Sequence, residues 1–122
     1  MSIILLGLNY KSAPVEIREK VSMSKSNIKR NLEFLQQMES VDGIAVLSTC
    51  NRTEFYMDAQ DSSKAVKGLM KFISWYSKCP VELLEQHMYR MRERDAVEHL
   101  FTVAAGLDSM ILGESQIQGQ VQ

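Results

Sequence analysis

A chain of 122 residues, 45% apolar and 24% charged, has the size and composition of one soluble domain with a core of its own. With 14 basic against 15 acidic residues its formal net charge is −1, which excludes a global positive field that holds nucleic acid. The opening run IILLGL has no basic flank and no room for a secretory signal, and nothing approaches the ~20 apolar residues of a membrane span, so a cytoplasmic protein is expected.

Ile3 to Asn9 is a short apolar run broken by Gly7 and reads as a buried strand. Lys11-Ser12-Ala13-Pro14 is a turn, and Pro14 opens a short helix over Val15 to Val21. Ser24 or Ser26 caps a longer helix whose stripe is Ile28, Leu32 and Leu35, widened by Phe34 and Met38, and Asp42-Gly43 ends it. Ile44 to Leu47 is apolar throughout, as in a strand covered on both faces. Thr53 to Ala59 alternates, with Phe55 and Met57 on one side and Glu54, Tyr56 and Asp58 on the other, so the two strands form a hairpin. Ser62 or Ser63 caps the next helix, buried through Val66, Leu69, Met70 and Ile73, and Pro80 stops it. A last strand is expected near His87 to Met91, and Glu93 to Gln122 reads as helical, with Gly113 and Gly119 weakening the helical pattern in its last part. The order strand, helix, strand, strand, helix, strand predicts an α+β fold of the ferredoxin-like, split βαβ kind, an antiparallel sheet with helices on one face. Residues 1–92 are expected to form this core and residues 93–122 a helical extension that completes a substrate pocket.

Cys50 and Cys79 fit no metal-ligand spacing and are expected as free thiols, Cys79 in a structural place before Pro80. Cys50 is different, because it sits at the hairpin bend in LSTCNRTEF, where a thiol is either a small turn residue or a reachable nucleophile. Arg52 either favours the thiolate and clamps a carboxylate with its planar fork, or simply pairs with Glu54 in solvent. Thr49 and Asn51 add short hydrogen-bonding groups or plain turn chemistry. On the helix after residue 93, the stripe Val97, Leu100, Phe101 and Ala104 puts His99 some 200° from Val97 at about 100° per residue. His99 is thus either an exposed side chain or one facing a cleft where it moves protons. His87 has no comparable pattern around it. In the tail GLDSMILGESQIQGQVQ, Gln116 and Gln120 share a helical face, as do Ile117 and Val121, which is either a recognition face or an ordinary amphipathic surface.

GLNYKSAPVEIREKVS, LSTCNRTEFY and AVEHLFTVAAGLDSMILGESQIQGQV, in that order and at compatible distances, resemble the N-terminal catalytic domain of the glutamyl-tRNA reductase family over nearly the whole chain. The resemblance implies NADPH-dependent reduction of glutamyl-tRNA to glutamate-1-semialdehyde, the first committed step of the five-carbon route to tetrapyrroles, with Cys50 as thioester-forming nucleophile. It also implies that Thr49, Cys50, Asn51, Arg52, Ser109, Glu114, Ser115, Gln116 and Gln120 contact the substrate, Arg52 on its carboxylate and Glu114 on its ammonium, and that His99 serves activity. Tyr10, Ser115 and Gln118 depart from the family's usual residues at their positions. The family carries its NADPH-binding Rossmann domain and a helical dimerisation domain downstream, and no glycine-rich fingerprint occurs in this chain. The expectation is a piece of a longer homodimeric reductase, unable alone to complete the reduction, with a hand-over of aldehyde to the next pathway enzyme. The alternatives are a thiol-dependent acyl hydrolase or transferase, and a non-catalytic regulatory module that binds a protein.

Overall fold

Period-two and period-3.6 patterning alternate along the chain, and the elements follow them. The structure, a computed structural model, describes residues 2–106. Its order is β1 (Ser2–Asn9), α1 (Val15–Val21), α2 (Lys25–Gln36), β2 (Val41–Ser48), β3 (Arg52–Ala59), α3 (Ser62–Ser77), α4 (Val81–His87), β4 (Tyr89–Arg92) and α5 (Glu93–Gly106). The strands form one four-stranded sheet in the order β2-β3-β1-β4. Every pairing is antiparallel. This is the expected split βαβ architecture.

The sheet separates two clusters of unequal size. Ile4, Leu6, Leu8, Ile44, Val46, Phe55 and Met57 turn to one face, where Ile17, Ile28, Leu35, Leu69, Ile73 and Leu84 from α1 to α4 cover them. Leu5, Ala45 and Tyr56 turn to the other, where Ala96 and Leu100 of α5 pack. Ile44 to Leu47 are all buried, as a doubly covered strand requires.

Several boundaries differ from the sequence expectation. Asp42-Gly43 does not end α2; that helix stops at Gln36, Ser40 takes the left-handed conformation at φ 71°, and Asp42 falls in a bulge inside β2. Asp61 rather than a serine caps α3, its Oδ1 accepting from Lys64 N at 3.2 Å. Lys78, left-handed at φ 62°, ends α3, while Pro80 begins the further helix α4, a role its fixed φ suits. His87 accordingly closes α4 instead of opening the strand, and its Nδ1 donates to the Ser12 carbonyl at 3.1 Å. Phe34 was expected to widen the buried stripe of α2 but is 60% exposed.

The stripe of α5 is also corrected. Val97 and Phe101 face outward, and the sheet-facing side is Ala96, His99, Leu100 and Val103. His99 therefore points toward the sheet, because what decides a helix's inner face is the surface available to it and not the largest apolar residues. Among the described residues no helix is long and apolar enough to cross a membrane.

Candidate active site

The turn between β2 and β3 is built by Thr49. Its backbone N–H donates to the Arg52 carbonyl at 2.7 Å, and its hydroxyl accepts from the N–H groups of Asn51 and Arg52 at 3.1 and 3.2 Å. Such a hydroxyl-stabilised turn spends the Thr49 side chain locally and fixes the bend. Cys50 stands on its outside as an exposed free thiol, whereas Cys79 is buried. Asn51 is exposed beside it.

Arg52 opens β3, and two residues later the strand carries a carboxylate on the face opposite Phe55 and Met57. Glu54 is fully buried. Tyr56 donates to its Oε1 at 2.6 Å, and Arg52 Nη1, His99 Nε2 and the Tyr89 hydroxyl all donate to its Oε2, the first two at 3.3 and 2.6 Å. An unpaired buried carboxylate carries a penalty of several kcal/mol, which this ring of charge-assisted donors offsets. In return the anion fixes the Arg52 guanidinium and the His99 ring in one arrangement. Because a carboxylate only accepts, His99 must carry a hydrogen on Nε2, leaving Nδ1 as the nitrogen that Glu54 does not engage.

Gly7 makes the cluster possible. In register it lies between Glu54 on β3 and Tyr89 on β4. A Cβ at Gly7 would fall 2.8 Å from Glu54 Cγ and 3.0 Å from the Thr53 carbonyl oxygen, so the missing side chain is the space through which the phenol reaches the acid.

Burial is the first cause that raises the Tyr56 and Tyr89 phenols far above the ordinary tyrosine range, and the Glu54 carboxylate is the second. Both therefore stay protonated donors. Unfolded tyrosines ionise near pH 10 while these two keep their protons, so the stability they supply is complete below about pH 10 and declines as pH rises further. Replacing both by Phe is expected to flatten that alkaline decline, measured by urea unfolding from about pH 9 to about pH 11. Identical slopes for the two proteins would reject the assignment.

A cleft of about 260 Å³ opens beside these groups, lined by Tyr10, Lys11, Arg52, His99, Thr102 and Val103 among others. Lys11 reaches it from a turn in which Asn9 Oδ1 accepts from the N–H groups of Lys11 and Ser12 at 2.9 and 3.1 Å. Two cations and a histidine at one opening suit an anionic substrate. The structure thus brings Arg52 and His99 to one cleft and leaves Cys50 exposed at the adjoining turn. Ser109, Glu114, Ser115, Gln116 and Gln120 lie outside the described residues. Sequence reading missed Glu54, Tyr89 and Lys11; the pairing of two tyrosines with one bare strand position was the available signal.

The fold and the cluster define the class: an α+β split βαβ domain whose second sheet face holds a buried, carboxylate-centred polar site and whose β2–β3 turn carries an exposed thiol. Residues 6–122 match the family described as "Glutamyl-tRNAGlu reductase, N-terminal domain". A glutamyl-tRNA reductase of Trichormus variabilis is 43% identical over 122 residues, covering 100% of this chain and 28% of that protein. One from Desulfitobacterium hafniense is 47% identical over 118 residues, 97% of this chain and 27% of the relative. The solved glutamyl-tRNA reductase from Methanopyrus kandleri superposes with a TM-score of 0.56 at 28% identity, covering 98% of this chain and 26% of that one. The chain belongs to the glutamyl-tRNA reductase family, to its N-terminal domain, and spans little more than a quarter of the length of these relatives.

Proposed function

We propose that this chain is the acyl-capturing part of a glutamyl-tRNA reductase, acting in tetrapyrrole biosynthesis. The observation that carries the reading is the exposed Cys50 on a turn fixed by Thr49, next to an Arg52 that a buried Glu54 holds together with His99. Arg52 receives the carboxylate of the glutamyl side chain through its fork, with Lys11 adding positive charge at the cleft mouth. The Cys50 thiol passes its proton to His99 Nδ1 and attacks the ester carbonyl carbon at the 3′ end of the tRNA. A C–S bond forms, the C–O bond to the ribose breaks, and the imidazolium returns the proton to the departing ribose oxygen. Glu54 stabilises the imidazolium through Nε2, the role of the carboxylate in a nucleophile–histidine–acid arrangement. Ser109, Glu114, Ser115, Gln116 and Gln120 are proposed to complete the amino-acid pocket.

Reduction of the thioester to glutamate-1-semialdehyde requires a hydride, which NADPH supplies. The described residues do not fit that cofactor. The sheet is antiparallel throughout, without the parallel strand–turn–helix crevice that cradles a pyrophosphate, and the glycine on β1 faces Glu54 in mid-strand. No step through NADPH is assigned to these residues; the donor belongs to the remainder of the protein, proposed as a cytoplasmic homodimer that hands the aldehyde to the next enzyme.

The test is mass spectrometry of the chain quenched after mixing with glutamyl-tRNA in the absence of NADPH. A glutamyl adduct on the Cys50 peptide is expected. Free glutamate without an adduct, formed equally in the complete polypeptide with and without NADPH, would establish a hydrolase and reject the reductase reading.

A further inference from the structure

On the opposite side of the sheet from Arg52 and Glu54, α2 and α3 leave an open groove of about 750 Å³. Phe34 and Trp75, 60% and 69% exposed, stand at its walls. Phe72 links them, with ring centroids 5.7 Å from Phe34 and 5.9 Å from Trp75. Lys64, Lys67 and Lys71 line the α3 side at intervals of three and four residues. Lys64 pairs with Glu39 at 3.4 Å; among the described residues Lys67 and Lys71 form no ion pair. An apolar floor with unneutralised cations along one rim is the complement of a helix that is apolar on one face and acidic beside it.

A second feature points the same way. Gly68 lies inside α3 on this groove, at a helix-interior position where glycine is less stabilising than alanine. The chain's own packing does not demand it, since a Cβ there would meet only Met38 Sδ, at an ordinary 3.9 Å, and the backbone is not left-handed. The bare position leaves the groove floor one methyl deeper than alanine would.

We infer that the α2–α3 groove is a docking site for an acidic amphipathic helix of a partner protein. Single-stranded nucleic acid fits it less well, because the cations lie on one rim only and do not track a backbone. With the sheet between groove and cleft, the occupant leaves the cleft beside Arg52 and His99 open.

Trp75 is the one tryptophan of the 122-residue chain, so its emission reports occupancy directly. The probe is a helix-stabilised peptide with leucine and phenylalanine along one face and glutamate elsewhere, titrated into the full chain. The controls are the same peptide with lysine for glutamate, and oligothymidylate. A saturable blue shift with the acidic peptide alone is expected, weakened at least tenfold by the double variant Lys67→Glu, Lys71→Glu. Gly68→Ala is expected to raise Tm while weakening the peptide, a combination that mere surface decoration would not produce. Absence of a shift, equal binding of the lysine peptide, saturation by oligothymidylate, or self-association of the chain through this face in sedimentation would each overturn the inference.

Discussion

Changing Cys50 to serine is expected to abolish the glutamyl adduct and to lower aldehyde formation by the complete polypeptide by at least about a thousandfold, with Tm unchanged. The substitution replaces one exposed small side chain by another on a turn whose hydrogen bonds come from Thr49 and the backbone, so the fold has little to lose. Chemistry loses much more. A serine hydroxyl is a far weaker nucleophile than a thiol, and an oxygen ester in place of the thioester is no better a hydride acceptor than the original aminoacyl bond. Turnover of the serine variant at the wild-type rate would show that the sulfur is not the acyl carrier.

The second large effect is expected at Glu54. Glutamine has nearly the same shape but presents one acceptor oxygen and one donor nitrogen to a ring of groups that all donate. With its nitrogen toward Tyr56 the amide can still donate to the phenol oxygen, but a neutral oxygen then faces the Arg52, His99 and Tyr89 donors, and the guanidinium loses its buried counter-charge. Glu54→Gln is therefore expected to destabilise the chain by about 3 kcal/mol, read from urea unfolding. At a temperature where the variant remains folded, Cys50 acylation is expected to be about a hundredfold slower, mainly in kcat/KM, as Arg52 and His99 lose their common anchor. A variant that loses stability yet acylates normally would reduce Glu54 to a structural role.

Glu54 also marks the limit of what the sequence discloses. Alternation along β3 separates Phe55 and Met57 from Glu54 and Tyr56, and the structure keeps that division. Period two reports only that the two sets lie on opposite faces; it does not say that α5 covers the second face and buries the acid. The same blindness produced the wrong inner stripe for α5, where Val97 and Phe101 are exposed and the smaller Ala96 meets the sheet. Long elements with strong periodicity, such as α3 and the Ile44 to Leu47 run, were legible because many apolar positions agree. The seven-residue α4 was not, since a proline that closes one helix in sequence logic opens another in space. Cys50, Arg52 and His99 were visible through their chemistry and the family resemblance, while Lys11 reached the cleft only through the geometry of the Asn9 turn.

The empty place at Gly7 lets β1 and β3 close on each other more tightly than any side chain there would allow. Any side chain added there must push against the acid beside it, and any shortening of the acid would open a hole that the bare position cannot fill. A side chain at position 7 would also meet the Thr53 carbonyl oxygen at 3.0 Å and the Glu54 Cα at 3.2 Å, so it must displace β3 itself whatever side chain stands at position 54.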